Sequence, residues 1–277
     1  MRIALAQVNS TIGEVETNLH MLREMTAQAN AQRADLTIFP ELAVHGYWLG
    51  QVRESCSLSV GDQRLAELSA GPSDVLVGFH EDGGVRAYNS AACLSNLAIV
   101  HVHRKLYLSN YLAWEERKHS SPGQTTRAFD TAHARTAIVI CNDAWQPAIP
   151  WLAAQDGAEL LLVPENSAAN LSPDKLDTIA YWEQELAHLG RTLQAWVVFV
   201  NRVGSEGGGE FWGGSRVIDP HGDLIAQAPL WESALTIVDI DIAAARRARR
   251  AVPLLAEARL GLIERETLRL IQDGGDA

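Results

Sequence analysis

The sequence predicts a layered α/β fold, with helices outside buried sheets. Three observations predict it. Apolar strand-like runs alternate with helix-periodic segments along the whole length. The 277 residues are 47% hydrophobic and 21% charged, which is enough apolar material for a large core. No linker, low-complexity tract or internal repeat interrupts the pattern, so a single domain over residues 1–277 is expected.

The elements follow in order. Residues 3–8 read as a buried strand. Leu19, Leu22, Met25 and Ala29 then mark the apolar stripe of a helix. Residues 35–39 form a second strand that stops at Pro40, and 74–79 a third. Residues 88–94 and 98–103 pair as a hairpin turning near Ser95-Asn96. Residues 136–141 are another apolar strand, followed by a helix near 149–155 and a strand at 159–163. Trp182, Leu186, Leu189 and Leu193 define an amphipathic helix, and 195–201 a strand. Gly207 to Gly209 read as a flexible loop. Strands at 215–219 and 235–241 are separated by the turn Asp219 to Gly222, and the tail from Ile242 is helical, broken at Pro253.

The bulk composition excludes several classes of function. A net charge of −11 argues against a nucleic-acid partner. The dense basic run Arg246, Arg247, Arg249 and Arg250 reads as a solvated helix face. Three widely spaced cysteines, Cys56, Cys93 and Cys141, suggest neither a disulfide framework nor a zinc site. No signal-type segment or membrane-length apolar run is read, so a cytoplasmic enzyme without membrane contact is expected.

Polar residues at the ends of buried strands carry the chemistry. In Phe39-Pro40-Glu41-Leu42 a strand ends and a carboxylate follows, placed to act as a general base in a partly desolvated crevice. Lys105 follows another strand, where an ammonium can stabilise an oxyanion. Cys141 ends the run Ile138-Val139-Ile140, a position for a nucleophile, with the next backbone N–H groups available to an oxyanion. The histidines His101 and His103 lie on one strand face and read as sheet residues, so no metal is called for.

Together these motifs resemble the nitrilase, or carbon–nitrogen hydrolase, superfamily over nearly the whole chain. The order Glu41, Lys105, Cys141 matches, as do the opening strand, the late segment Gly213 to Gly222 and Asp239 to Asp241. The resemblance implies a four-layer α-β-β-α sandwich and copies that pair as a homodimer or higher homo-oligomer. It implies covalent catalysis without cofactor: Cys141 as nucleophile, Glu41 as base, Lys105 and the backbone N–H of Asn142 on the oxyanion. A second glutamate is implied before a Pro-Gly; Glu116, six residues before Pro122, fits better than Glu115.

The resemblance also ranks activities. Nitrilases usually follow the cysteine with Trp-Glu, and this chain has Asn142-Asp143. Residues 104–123 are similar to the glutaminase domains of NAD synthetases. Those continue Cys-Glu-Asp, and Asn142 removes that charge partner. Cys-Asn-Asp occurs among N-carbamoyl amino acid hydrolases, for which Arg202 or Arg216 is a candidate carboxylate contact. Tyr47, Tyr111, Trp145 and Asn166 are the candidate substrate contacts, and Trp48, Trp114, Phe211 and Trp212 also fall in expected crevice loops. The leading expectation is an amidase for a small linear amide or N-carbamoyl compound. The alternatives are a glutaminase or amidotransferase, a nitrilase, and a silent binding subunit.

Overall fold

The computed structural model describes residues 1–52, 54–171 and 177–274. In chain order it contains β1 (Arg2–Gln7), α1 (Val15–Ala31), β2 (Leu36–Ile38), α2 (Gln63–Ala66), β3 (Asp74–Asp82), β4 (Ala87–Ser95) and β5 (Ala98–Arg104). There follow β6 (Phe129–Asp130), β7 (Arg135–Ile138), α3 (Ala148–Gln155), β8 (Leu160–Glu165), α4 (Thr178–Leu193) and β9 (Trp196–Asn201). The last third holds β10 (Val203–Glu206), β11 (Gly209–Trp212), β12 (Arg216–Ile218), β13 (Leu224–Gln227), β14 (Ala234–Asp239), α5 (Ala243–Ala251) and α6 (Leu260–Gln272).

Two six-stranded sheets form the frame, ordered β14-β1-β2-β3-β4-β5 and β13-β12-β9-β8-β7-β6. They pack face to face through Ile3, Leu5, Ile38 and Leu76 of the first and Ile138, Leu160, Leu162 and Val198 of the second. The outer face of the second sheet buries Leu161, Val163 and Phe199 under Trp182, Leu186 and Leu189 of α4. On the first sheet Val75, Val77 and Phe79 meet Leu19 and Leu22 of α1. Strands buried on both faces need continuous apolar runs, as 160–163 and 197–200 supply. The result is the expected α-β-β-α arrangement. Among the described residues no helix is long and apolar enough to cross a membrane.

Three local readings change. Gly207 and Gly208 are not a loose loop; with positive φ they turn the β10–β11 hairpin, which glycine does without steric cost. The turn Asp219 to Gly222 leads into β13, an extra strand paired with β12. The arginine run is only partly solvated. Arg246 pairs with Glu159, and Arg249 is largely buried and donates to the Ala158 carbonyl at 2.5 Å. These contacts tie α5 to the start of β8.

Gly78 on β3 lies directly beneath the turn that carries Glu41. A methyl group there would stand 2.4 Å from the Leu42 nitrogen and 2.6 Å from the Pro40 carbonyl. Both neighbours are backbone and cannot rotate away. Gly78→Ala is therefore expected to destabilise the protein by about 1–3 kcal/mol, the usual cost of overpacking, and to lower activity by displacing Glu41. Urea unfolding of wild type and variant measures the first effect, and an unchanged midpoint would refute it.

Candidate active site

The site lies where strand ends of both sheets meet. β2 leads into Glu41, β5 into Lys105, β7 into Cys141, and β8 ends on Glu165. Crevices at the carboxyl ends of parallel strands are where α/β sheets expose such residues.

Lys105 is fully buried, and its Nζ donates to Glu41 Oε1 and Glu116 Oε1, both at 2.8 Å. Those two bonds leave one ammonium hydrogen for another acceptor. Burial alone would lower this ammonium's pKa, but Cys141, Glu116 and Glu41 around it outweigh burial and hold it well above the ordinary lysine range. Glu116 Oε2 accepts from the Ser109 N–H at 2.6 Å, which fixes the carboxylate from behind. Glu115 instead points to solvent and pairs with Lys118, so Glu116 is the second glutamate of the cluster. Pro122-Gly123 also has a structural task. A Cβ on Gly123 would stand 2.3 Å from the Arg104 carbonyl, and the Gly123 N–H donates to the Lys105 carbonyl at 2.8 Å.

Cys141 sits in a turn beyond β7, with φ of +50°. A non-glycine residue in that region is strained, a condition that collects at functional sites. Burial first, then the charges of Glu165 and Glu41, push its thiol well above the usual range, while Lys105 pulls the other way. The resting group is a thiol that needs a base. Glu41 is also raised, first by burial and then by Glu116, against the pull of Lys105. Its Oε1 is held by Lys105 and by Asn89 Nδ2 at 2.6 Å. Its Oε2 is buried and has no partner.

The expected substrate contacts converge. Tyr47, Tyr111, Trp145 and Asn166 line one small cavity together with Cys141, Asn142 and Glu165. Its volume is about 30 Å³, room for about two waters. Asn166 Nδ2 is already spent on the Glu41 carbonyl at 2.8 Å, which leaves its side-chain oxygen free. Trp114 lines the same cavity and meets the Tyr47 ring edge-on at 4.8 Å. Trp48 borders a second cavity of about 220 Å³ that shares Tyr47 with the first.

Four expected contacts lie elsewhere. Phe211 and Trp212 are fully buried core residues. Arg202 lies over the Phe211 ring and bonds Glu206, whose other oxygen accepts from the Tyr47 and Trp48 N–H groups. Through Glu206 it holds the loop that carries Tyr47 and Trp48. Arg216 donates to the Gly214 carbonyl and to Glu183. Neither Arg202 nor Arg216 is among the described residues that line the cavity.

Three residues join the site that the sequence did not single out. Asn89 bridges Glu41 and Glu116. Asp143 is fully buried and accepts from the Leu106 and Tyr107 N–H groups at 3.0 and 2.7 Å, and it pairs with His103. It thereby ties the lysine loop to the cysteine turn. Glu165 is the third.

Comparison with known proteins agrees with this geometry. The carbon-nitrogen hydrolase family model matches residues 2–250. The chain belongs to that family. The glutamine-dependent NAD(+) synthetase of Acinetobacter baylyi is 29% identical over 244 residues, covering 87% of this chain and 44% of that protein. The chain spans about half the length, or less, of the curated relatives it matches. An amidase of the nitrilase superfamily from Nesterenkonia AN1 superimposes with a TM-score of 0.80 at 23% identity, covering 96% of each chain. A carbon-nitrogen hydrolase from Helicobacter pylori G27 gives 0.83 at 20% identity, covering 94% of this chain and 96% of that one. The family of this chain is one of carbon–nitrogen hydrolases.

Proposed function

We propose that the protein hydrolyses a small linear amide or carbamoyl compound through a thioester on Cys141, releasing ammonia. The observation that carries this reading is the juxtaposition of a strained, cavity-lining Cys141 with the unpartnered Oε2 of Glu41 and a lysine clasped between two glutamates. Glu41 takes the thiol proton as sulfur attacks the carbonyl carbon. The third Lys105 hydrogen and the Asn142 N–H receive the oxyanion, a contribution of the preorganised kind. Protonated Glu41 then gives its proton to the departing nitrogen, and ammonia leaves. Water loses a proton to Glu41, attacks the thioester, and frees the acid and the thiol. Glu116 keeps the lysine aimed throughout.

A cavity this small favours a short acyl group. Similarity to glutamine-dependent synthetases supports a second reading, glutamine hydrolysis, in which this same thioester forms. Pairing of copies and a cytoplasmic location belong to the same proposal; exposed Leu260, Ile263, Leu270 and Ile271 on α6 offer an apolar surface for such pairing.

The test is ammonia release over a panel of primary amides, carbamoyl compounds, glutamine and nitriles. Cys141→Ala should lower the active class at least about 1000-fold, as loss of a nucleophile does. If no compound releases ammonia and intact mass detects no acyl adduct on Cys141, the hydrolase reading fails in favour of a silent binding subunit.

A further inference from the structure

We propose that Glu165 is a specificity residue: it accepts the second N–H of the scissile –NH2 group, so the site takes primary amides and rejects N-substituted ones. This inference rests on the hydrolase reading of the site.

Glu165 lacks a partner for one of its carboxyl oxygens. It ends β8, is 2% exposed, and lines the cavity beside Cys141. Its Oε2 is buried without a hydrogen-bond partner. A carboxyl left so is costly unless something completes it. The Cys141 thiol and the Asn166 N–H stand beside the Glu165 carboxyl, while Asn166 Nδ2 is committed to the Glu41 carbonyl and two Lys105 hydrogens to Glu41 and Glu116. The other acids of the site are also engaged. Both Glu116 oxygens and both Asp143 oxygens accept hydrogen bonds. Two carboxyl oxygens of the site therefore remain open, Glu41 Oε2 and Glu165 Oε2, beside the amide oxygens of Asn89 and Asn166.

Distance then selects the ligand. One carboxylate oxygen of Glu41, one of Glu165 and the Cys141 sulfur all lie within 4.8 Å of one another. The two N–H bonds of an amide nitrogen diverge by about 120°, and with N···O lengths of about 2.9 Å they end on oxygens about 5 Å apart. Carboxylate oxygens no more than 4.8 Å apart come within reach of one –NH2 group, whose carbonyl carbon then faces the sulfur. The role needs an acceptor rather than a charge. Burial, then Glu41, pushes the Glu165 carboxyl well above the usual range, and a protonated carboxyl still accepts through its carbonyl oxygen. An N-alkyl group would replace the hydrogen aimed at Glu165 and collide with it.

The experiment compares acetamide with N-methylacetamide in wild type, Glu165→Ala and Glu165→Gln. Wild type should strongly prefer acetamide. In Glu165→Ala, kcat/KM for acetamide should fall about 10–100-fold, the loss expected for one buried hydrogen bond, and the preference should shrink at least tenfold. Glu165→Gln keeps a carbonyl acceptor and should preserve the preference. Equal losses on both amides, or an unchanged preference in Glu165→Ala, would show a packing role and overturn the proposal. If the wild type is silent on acetamide, Cys141→Ala crystals soaked with acrylamide decide. An amide nitrogen within about 3.3 Å of a Glu165 oxygen supports the proposal; a nitrogen placed elsewhere, or no bound amide, overturns it. Failure of the hydrolase reading shows separately, as an absence of ammonia release over the whole amide panel.

Discussion

Lys105→Ala is expected to abolish turnover and to weaken the fold by about 3–5 kcal/mol, the usual cost of breaking a buried ion pair from one side. The wild-type ammonium lies 2.8 Å from two buried carboxylates. Removing it strands both, beside Asn89, which can satisfy only part of either. Turnover falls for a separate reason. An oxyanion donor of this kind is worth about 100–1000-fold in rate, and misplacement of Glu41 adds to that. The stability deficit has a pH signature with a definite sign. The Glu41 carboxyl is already raised by burial, against the pull of Lys105. Without the lysine it rises further. A carboxyl raised above its unfolded value favours the fold below the unfolded pKa and loses that contribution as pH rises through the folded pKa. The deficit should therefore be large at neutral pH and shrink on acidification. Urea midpoints at several pH values measure it. A deficit that stays constant with pH would point to lost packing rather than stranded charge.

Much of this site is legible in sequence because its parts are strand ends. Glu41 and Cys141 follow apolar runs, Lys105 follows the strand Ala98–Arg104, and each stands where a strand of the sheet ends. Glu116 is legible through the Pro122-Gly123 that follows it, and the structure gives the reason: Gly123 is pressed against the backbone that holds Lys105. Glu165 is hidden by Pro164. A proline reads as the end of a strand, yet it removes only one donor. Here Pro164 stays in register opposite Val200, and Glu165 opposite Asn201. Asn89 is hidden differently, as one polar residue inside β4, where nothing local shows that it faces two carboxylates. Phe211 and Trp212 mislead for the converse reason. Aromatic residues beside glycines look like pocket walls, but whether a ring faces a crevice or a core depends on packing between distant segments, here Arg202 and α4. Arg202 and Arg216 likewise look like free cations until Glu206 and Glu183 are found beside them.

Glu41→Gln is expected to lower kcat/KM by about 100–10,000-fold, the range for loss of a general acid–base group, while leaving the fold nearly intact. Glutamine keeps the shape and the oxygen that faces Lys105 and Asn89, so the buried network is retained. What disappears is the proton acceptor at Oε2. That matters because burial and the surrounding carboxylates keep Cys141 in its thiol form. A thiol is a poor nucleophile, and only a base within reach converts it at the moment of attack. The pH–rate profile separates this from any structural effect. In wild type the rate should climb as Glu41 loses its proton, and because burial raises that carboxyl the acid limb should lie above the ordinary carboxylate range. In Glu41→Gln the limb should vanish, and the residual rate should instead rise toward alkaline pH as the thiol ionises by itself. Kinetics at a series of pH values, with intact-mass measurement of acylated Cys141, distinguish the outcomes. A variant that keeps the wild-type acid limb would remove Glu41 from the role of base and turn attention to Glu165, the other carboxyl that stands beside the sulfur among the described residues.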